Sequence, residues 1–489
     1  MYKPVIGLEV HIELNTKTKM FCSCLNNPDE KHPNTNVCPI CLGHPGTLPV
    51  INKEAVKKVI KTGLALNCEI PNHSEFDRKN YFYPDLSKGY QISQQYFPLC
   101  KQGFLEILDQ KIKIRKIHLE EDTGKLFHEK DYSLVDFNRA GVPLMELVTE
   151  PDINSAKEAR KFAEELQMIL RYLRVSDADM EKGQMRIEVN ISLTKDIKKL
   201  GTKVEIKNLN SLRVVEKAIE YEIKRQTEAL NSGKKIIQET RGWHDIKEIT
   251  FSQREKEESH DYRYFPEPDL PQLYHLKEFI NEIKTEIPEL PQEKKERFKK
   301  EYGLSEEEIE IFVQNKELGE YFEKVVSELI EWVNSTEHKT KISDIERQKL
   351  NKLASNYIIS DLQGLLKGMS VLDKKFYITA ENFAEFICLI YEREISSKIA
   401  KIVLEEMLKT GADPSNIIKE KGLVQITNEK EIEKIVKEII IKNQKAVADY
   451  KKGKTNAYQF LIGQIMAQSR GKANLQIVND ILKKELSLN

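Results

Sequence analysis

The chain has 489 residues, enough for two to four domains, because a single core rarely grows past about 250 to 300 residues. Its 77 Lys and Arg against 78 Asp and Glu exclude an overall electrostatic signature for nucleic acid or membrane, so any such footprint is local. No apolar run reaches the roughly 18 residues of a membrane span, and MYKPVIGLEV lacks the basic and apolar regions of an export signal; a soluble, cytoplasmic protein is expected, its seven cysteines reduced or metal-bound.

In VIGLEVHIEL, Ile6, Leu8, Val10, Ile12 and Leu14 alternate with Gly7, Glu9, His11 and Glu13, the pattern of a strand with one buried face and one face presenting Glu, His, Glu. Taken alone, that second face is ordinary solvated charge. FCSCLNNPDEKHPNTNVCPIC follows, with Cys22, Cys24, Cys38 and Cys41 as two close pairs. Four thiolates at this spacing can close a tetrahedral zinc site that braces a loop with no core of its own and leaves no open position for catalysis. Cys68, Cys100 and Cys388 lack such partners and are expected to pack.

The Gly/Pro-punctuated stretch FDRKNYFYPDLSKGYQISQQ combines Arg78, Lys79, Tyr81, Tyr83, Asp85 and Lys88, and IHLEEDTGKL ends an alternating run in Glu120, Glu121 and Asp122. A helix follows PDINSAKEARKFAEELQMILRYL, with Ser155 and Glu158 as a capping box and Phe162, Leu166, Ile169, Leu170 and Leu173 as its apolar stripe. RIEVNISL sets Arg186, Glu188, Asn190 and Ser192 opposite Ile187, Val189, Ile191 and Leu193; KVEIKNL sets Lys203, Glu205 and Lys207 opposite Val204 and Ile206. A second helix opens at Ser211 and stops near Gly233, and FSQREKEESHDYRYFPEPDLP then brings Arg254, Lys256, Arg263 and Tyr264.

Four segments thus carry acids on what can be a single polar sheet face. Crowded carboxylates repel and raise one another's pKa unless a cation sits among them, and hard oxygen ligands with one imidazole suit Mg²⁺ beside substrate phosphates. Nearby Lys and Arg can neutralise phosphate oxygens. There is no P-loop, dinucleotide-binding glycine turn or serine-hydrolase elbow. From IPELPQEKKERF onward the texture is helical, with a hinge at Pro288 to Pro291 and a turn at Gly411 to Pro414 before a last small unit. The expected division is a catalytic domain over 1–290 with the cysteine loop, a helical domain over 291–405 and a tail domain over 406–489. The last 49 residues hold nine Lys/Arg against three Asp/Glu, a patch suited to a polyanion.

Together IGLEVHIEL, the cysteine set with CLGHPGTLP, DRKNYFYPDLSKGYQISQ, HLEEDTGKL, DFNRAGVPLMELVTEPDI, GTKVEIKNLNS, DYRYFPEPDLP and VADYKKGKTNAYQFLIGQIM resemble the B-subunit family of the bacterial and organellar tRNA-dependent amidotransferases, nearly end to end. The resemblance implies an α+β fold: an antiparallel-sheet cradle with a glutamine-synthetase-like core, an all-α domain and a small helical tail that contacts tRNA. It implies that ATP phosphorylates the side-chain carboxylate of Glu-tRNA(Gln) or Asp-tRNA(Asn). Ammonia then displaces the phosphate; it comes from glutamine hydrolysed by the amidase, or A, member of a heterotrimer that also holds a small C member. Position by position the resemblance makes Glu9, His11, Glu121, Glu188 and Glu205 the metal and phosphoryl-transfer set. Glu9, His11 and Glu121 would hold magnesium, Lys79 would face phosphate, and Arg78, Arg254 and Arg263 would join Lys79 in binding nucleotide. RIEVN stands where many members resemble RxDxN, so Glu188 reaches one methylene further, and Leu475 stands where Pro is usual. The competing readings are a stand-alone amide ligase acting on a free amino acid and a non-enzymatic zinc-braced tRNA-binding subunit.

Overall fold

The computed structural model describes residues 2–196, 199–255, 261–335, 343–423, 426, 428–469 and 472–488. The chain forms two compact units, residues 1–291 and 292–489.

In chain order the first unit runs β1 (Lys3–Glu13), α1 (Lys53–Ala65), β2 (His73–Ser74), β3 (Asp77–Asn80), β4 (Tyr90–Ser93), β5 (Cys100–Ile107), β6 (Gln110–Glu121), β7 (Lys125–His128), β8 (Ser133–Asp136) and β9 (Pro143–Thr149). It continues through α2 (Ala156–Tyr172), β10 (Met185–Thr194), β11 (Val204–Leu209), α3 (Leu212–Asn231), β12 (Glu239–His244), β13 (Ile249–Glu255), β14 (Phe265–Pro266), β15 (Leu273–Tyr274) and α4 (Lys277–Thr285). Eight strands make the main sheet, in the order β13-β12-β11-β10-β1-β9-β6-β5. The sheet is mixed rather than wholly antiparallel, because β11 and β12 pair in parallel. α3 lies between them in sequence, and a crossover through a helix returns the chain in the same direction, which a tight hairpin cannot do.

The alternating residues of β1 do what their period demands. Ile6, Leu8, Val10 and Ile12 are at most 1 % exposed and share one core with Met145 and Leu147 of β9, Ile187, Val189 and Ile191 of β10, and Phe162, Leu166 and Leu170 of α2. α1 and α3 contribute Val59, Ile60, Val215 and Ile219 to the same core. Ser155 caps α2 by accepting from the Glu158 N–H at 3.2 Å, while the Glu158 carboxylate reaches Asn154 N at 2.9 Å instead of closing a reciprocal box on Ser155. The odd-numbered face of β1 is left for polar side chains.

β6 carries one irregularity that matters for function. Its register against β9 shifts between Ile114 and Lys116, and Ile112, Ile114, Ile117 and Leu119 are all buried. The extra residue of this bulge reverses which side chains face the core. Downstream of it Ile117 and Leu119 point inward, so His118 and Glu120 take the polar face and Glu121 takes the other.

The second unit is helical: α5 (Pro291–Tyr302), α6 (Glu306–Gln314), α7 (Lys316–Ser335), α8 (Asp344–Asn356), a π-helical turn over Tyr357–Leu362, α9 (Gln363–Leu366), α10 (Ala380–Tyr391), α11 (Ser397–Thr410), α12 (Pro414–Glu420), α13 (Glu429–Lys442), α14 (Gln444–Lys451), α15 (Thr455–Gln468) and α16 (Leu475–Leu488). The boundary expected at 405/406 falls inside α11, a single helix capped by Ser396 and ended by Gly411 at φ +70°, whose buried stripe Ile399, Val403, Leu404 and Met407 cannot be divided there. α12 packs on α10 and α11. A separate small core forms later, from Ile432, Val436 and Ile439 of α13, Leu461 and Ile465 of α15, and Val478, Leu482 and Leu486 of α16. No described helix is long and apolar enough to cross a membrane.

Candidate functional site

Strand register builds the polar face as two adjoining rows. His11 on β1 stands opposite Glu146 on β9, which in turn stands opposite His118 on β6. On the other side of β1, Glu9 faces Glu188 of β10, whose Asn190 faces Glu205 of β11. The ligand atoms of His11, Glu120 and Glu146 lie within 4.8 Å of one another, and so do those of Glu9, Glu188 and Glu205.

In the first row Glu146 sits between two imidazoles, 3.4 Å from His11 Nε2 and 3.3 Å from His118 Nε2, and His118 is also 3.7 Å from Glu120. Burial disfavours a charged imidazole, yet the Glu146 carboxylate lifts His11 to about 9 and also raises His118. Burial likewise opposes the Glu146 carboxylate, but His118 and His11 hold it well below the usual range. Ser93 Oγ donates to Glu120 at 3.0 Å. In the second row burial raises Glu9, and Glu146 and Glu188 raise it further, although Asn190 Nδ2 donates to it at 2.8 Å. Lys207 is 2.8 Å from Glu188 and 3.6 Å from Glu205, and Thr240 Oγ1 donates to Glu205 at 2.7 Å. The repelling acids of the second row and the buried atom Asn190 Oδ1, unpartnered among the described residues, fit a place for a hard cation, and in the first row a cation would take the place of the protons that Glu146 holds on the two imidazoles.

The other expected residues divide. Lys79 on β3 faces this site: burial opposes its charge, but Glu120 and Glu146 hold its pKa above the usual lysine range. Its Nζ lies 5.0 Å from the Tyr262 ring centroid and 6.0 Å from that of Tyr81. Arg78, its neighbour on the same strand, turns away into a bidentate pair with Glu267 at 2.7 Å, a contact to Asp269 at 3.1 Å and a seat over the Tyr90 ring at 4.3 Å. Arg263 is exposed, and Asn80 Nδ2 donates to its carbonyl at 2.8 Å. Arg254 lies on β13 but its side chain is outside the described part, as is Lys256.

Glu121 does not join Glu9 and His11. It pairs with Lys88 and accepts from Ile92 N at 3.1 Å, beneath β4, because the β6 bulge has turned it off the polar face. The residues that take the position beside His11 are Glu120 and Glu146, which the sequence reading did not select. Both had a signal. The two-residue spacer in Ile114-Arg-Lys-Ile117 marks the bulge, and Glu146 is a lone acid in the otherwise apolar PLMELV, where burial of a charge needs a reason.

The four cysteine sulfurs also lie within 4.8 Å of one another. Cys38 N–H donates to Cys41 Sγ at 3.1 Å, and Lys19 Nζ lies 3.8 Å from the same sulfur. The Cys22 thiol, Cys38 N–H and Lys19 pull the Cys41 thiol below the ordinary thiol value. Lys19 is fully buried, its other contact being the Phe137 carbonyl at 3.1 Å. Burying an ammonium costs several kcal/mol unless it is compensated, and a Cys₄ set closed on a divalent ion carries the surplus negative charge that compensates it. Phe21 anchors the loop by packing edge-on against Phe76 at 5.5 Å in the core.

In the last helical cluster Lys442, Lys445, Lys451, Lys452, Lys454, Lys483 and Lys484 are exposed. They lie on α13, α14 and α16 or just after α14, where Lys454 pairs with Asp449.

Residues 4–281 match the model of the GatB/GatE catalytic domain, and residues 341–486 that of the GatB domain. The chain is 48 % identical to the B subunit of the aspartyl/glutamyl-tRNA(Asn/Gln) amidotransferase of Thermotoga maritima and 49 % identical to that of Caldicellulosiruptor bescii, covering 99 % of both chains in each case. The chain belongs to this B-subunit family. Within the family's catalytic domain lie the two carboxylate rows, Lys79 and the four-cysteine loop, and its second matched region contains the basic helical cluster.

Proposed function

We propose that the polar sheet face phosphorylates the side-chain carboxylate of the amino acid on a misacylated tRNA, Glu-tRNA(Gln) or Asp-tRNA(Asn), and amidates it with ammonia released from glutamine by a partner amidase. A third, small partner completes the heterotrimer, and the sheet serves as a glutamine-synthetase-like core. The observation that carries this reading is the pair of adjoining ligand rows with a half-buried lysine facing one of them. Two cation positions beside a fixed ammonium are what a phosphoryl group in transfer requires.

Glu9, Glu188 and Glu205 would hold one Mg²⁺; His11, Glu120 and Glu146 would hold another. When bound, these ions supply neutralisation of the ATP phosphates. Lys79, kept cationic by Glu120 and Glu146, binds a phosphate oxygen from the opposite side. A carboxylate oxygen of the acceptor takes the γ-phosphoryl group as ADP leaves. Ammonia then bonds to the acyl carbon, inorganic phosphate leaves, and the nitrogen gives up one proton to solvent or a neighbouring carboxylate. Zinc in the Cys22, Cys24, Cys38 and Cys41 set braces the loop without taking part, and the basic helical cluster holds the tRNA body through its phosphates.

The test is His11→Ala in the assembled complex. Its tRNA-dependent ADP release should fall by roughly 100-fold or more while basal glutamine hydrolysis stays near wild type. Normal ADP release would remove this face from the chemistry. ADP release with free glutamate and no tRNA would instead identify a stand-alone ligase.

A further inference from the structure

Lys79 stands at the inner end of a run of tyrosines that the chemistry above does not use. Tyr81 meets Tyr262 at 6.0 Å, Tyr262 meets Tyr264 at 6.0 Å, and Tyr264 meets Tyr96 at 6.4 Å, all edge to face, with interplanar angles of 70°, 69° and 74°. The run leads outward from the ammonium to Tyr96, which is 55 % exposed. It is held in place by backbone: Asn80 N donates to the Tyr262 carbonyl at 2.9 Å, and Phe265 pairs with Arg78 in the strand ladder. Arg263, between two of the rings, has φ +45°, a conformation an L-residue keeps only where the surroundings impose it.

Partly exposed, ordered aromatic rings beside a phosphate-directed cation are the components of a single-stranded nucleic-acid platform, in which bases stack on rings and the cation meets the backbone. Reach argues for which nucleotide. The carboxylate to be activated is joined to the terminal ribose of the tRNA through an ester and a few carbon–carbon bonds of about 1.5 Å each. About nine such bonds separate that carboxylate from the base, so the last base lies within about 12 Å of the carboxylate that receives the phosphoryl group beside Lys79. Tyr262 lies 5.0 Å from Lys79 Nζ, and Tyr264 and Tyr96 continue outward from it.

The other adenine in the reaction, that of ATP, needs a second place. A cavity of about 200 Å³ opens at the far row, lined by Gly7, Glu9, Thr149, Asn190, Gly201 and Lys203. We infer that Tyr81, Tyr262, Tyr264 and Tyr96 form the stacking platform for the unpaired 3′-terminal adenosine of the aminoacyl-tRNA. This rests on the tRNA-dependent reading of the same site.

The experiment compares equilibrium binding of two probes, intact deacylated tRNA and the same tRNA lacking its terminal adenosine, to the assembled complex. Wild type should prefer the intact tRNA by roughly 10- to 100-fold, the range expected for stacking of one base. Tyr96→Ala with Tyr264→Ala should reduce that preference to about twofold or less, the corresponding Phe substitutions should retain it, and the KM for ATP should not change. An undiminished preference in the Ala variant, no preference in wild type, or a raised KM for ATP with the tRNA preference intact would each overturn the platform. Because the readout is binding, a platform that discriminates in a complex releasing no ADP would discredit the proposed chemistry and leave the platform standing.

Discussion

The four-cysteine loop and the carboxylate face both gather ligand atoms to within 4.8 Å, but they do so by opposite means. The loop draws all its ligands from 20 consecutive residues, held by Phe21 in the core and by a buried Lys19. The carboxylate face draws on β1, β6, β9, β10 and β11, from Glu9 to Glu205, and its geometry is set by strand register. The difference is one of stored cost. The loop has little core and would depend on an ion for order, whereas the sheet buries its apolar face independently and carries repelling acids such as Glu9 as a load. Removing ligands should therefore unfold the first and merely disarm the second.

The largest expected effect tests the sheet side of that contrast. Glu120→Gln should lower tRNA-dependent ADP release by about 100-fold with only a small fall in melting temperature, since burial opposes this carboxylate while His118 and Lys79 hold it ionised. Glu121→Gln, one residue away, should show the reverse ordering: a lower melting temperature from a broken Lys88 pair beneath β4, and a smaller loss of turnover. Equal losses of activity in the two variants would mean that the bulge in β6 does not divide their roles.

The cysteine loop should respond differently. Cys38→Ser with Cys41→Ser is expected to abolish bound zinc by elemental analysis and to make the segment 22–41 protease-sensitive. Treatment of wild type with a strong chelator should give the same cleavage pattern. Zinc retained at wild-type stoichiometry in the double variant would dissolve the comparison.

The smallest effect concerns a long-range clip near the tyrosine run. His275 Nε2 lies 3.0 Å from the buried Ser74 Oγ, where β15 pairs with β2. Burial, aided by His73, depresses the pKa of His275 below the usual histidine value of 6.5. The unfolded chain therefore binds the proton more readily, so the contribution of this contact is complete above about pH 6.5 and declines as the pH falls toward the depressed value. Wild type should lose more melting temperature between pH 7 and pH 5.5 than His275→Gln does. Identical slopes would assign the acid sensitivity elsewhere.

Much of this protein was legible before any fold was known. Period-two alternation in VIGLEVHIEL and RIEVNISL determines two half-buried strands, because a one-residue slip would expose every Ile, Leu and Val. Ser155 and Ser211 determine where α2 and α3 begin, since they supply acceptors to otherwise unpaired N–H groups. The cysteine set is equally local, two close pairs within 20 consecutive residues. What no local pattern decides is which residues from distant strands meet. Register across β9 placed Glu146 between His11 and His118, a bulge exchanged Glu120 for Glu121, and pairing with Glu267, some 189 residues distant, withdrew Arg78 from the site its neighbour Lys79 faces. The parallel joining of β11 to β12 and the continuity of α11 past residue 405 were likewise decided by tertiary packing. Sequence periodicity specifies the face of an element, and only its neighbours specify what that face meets.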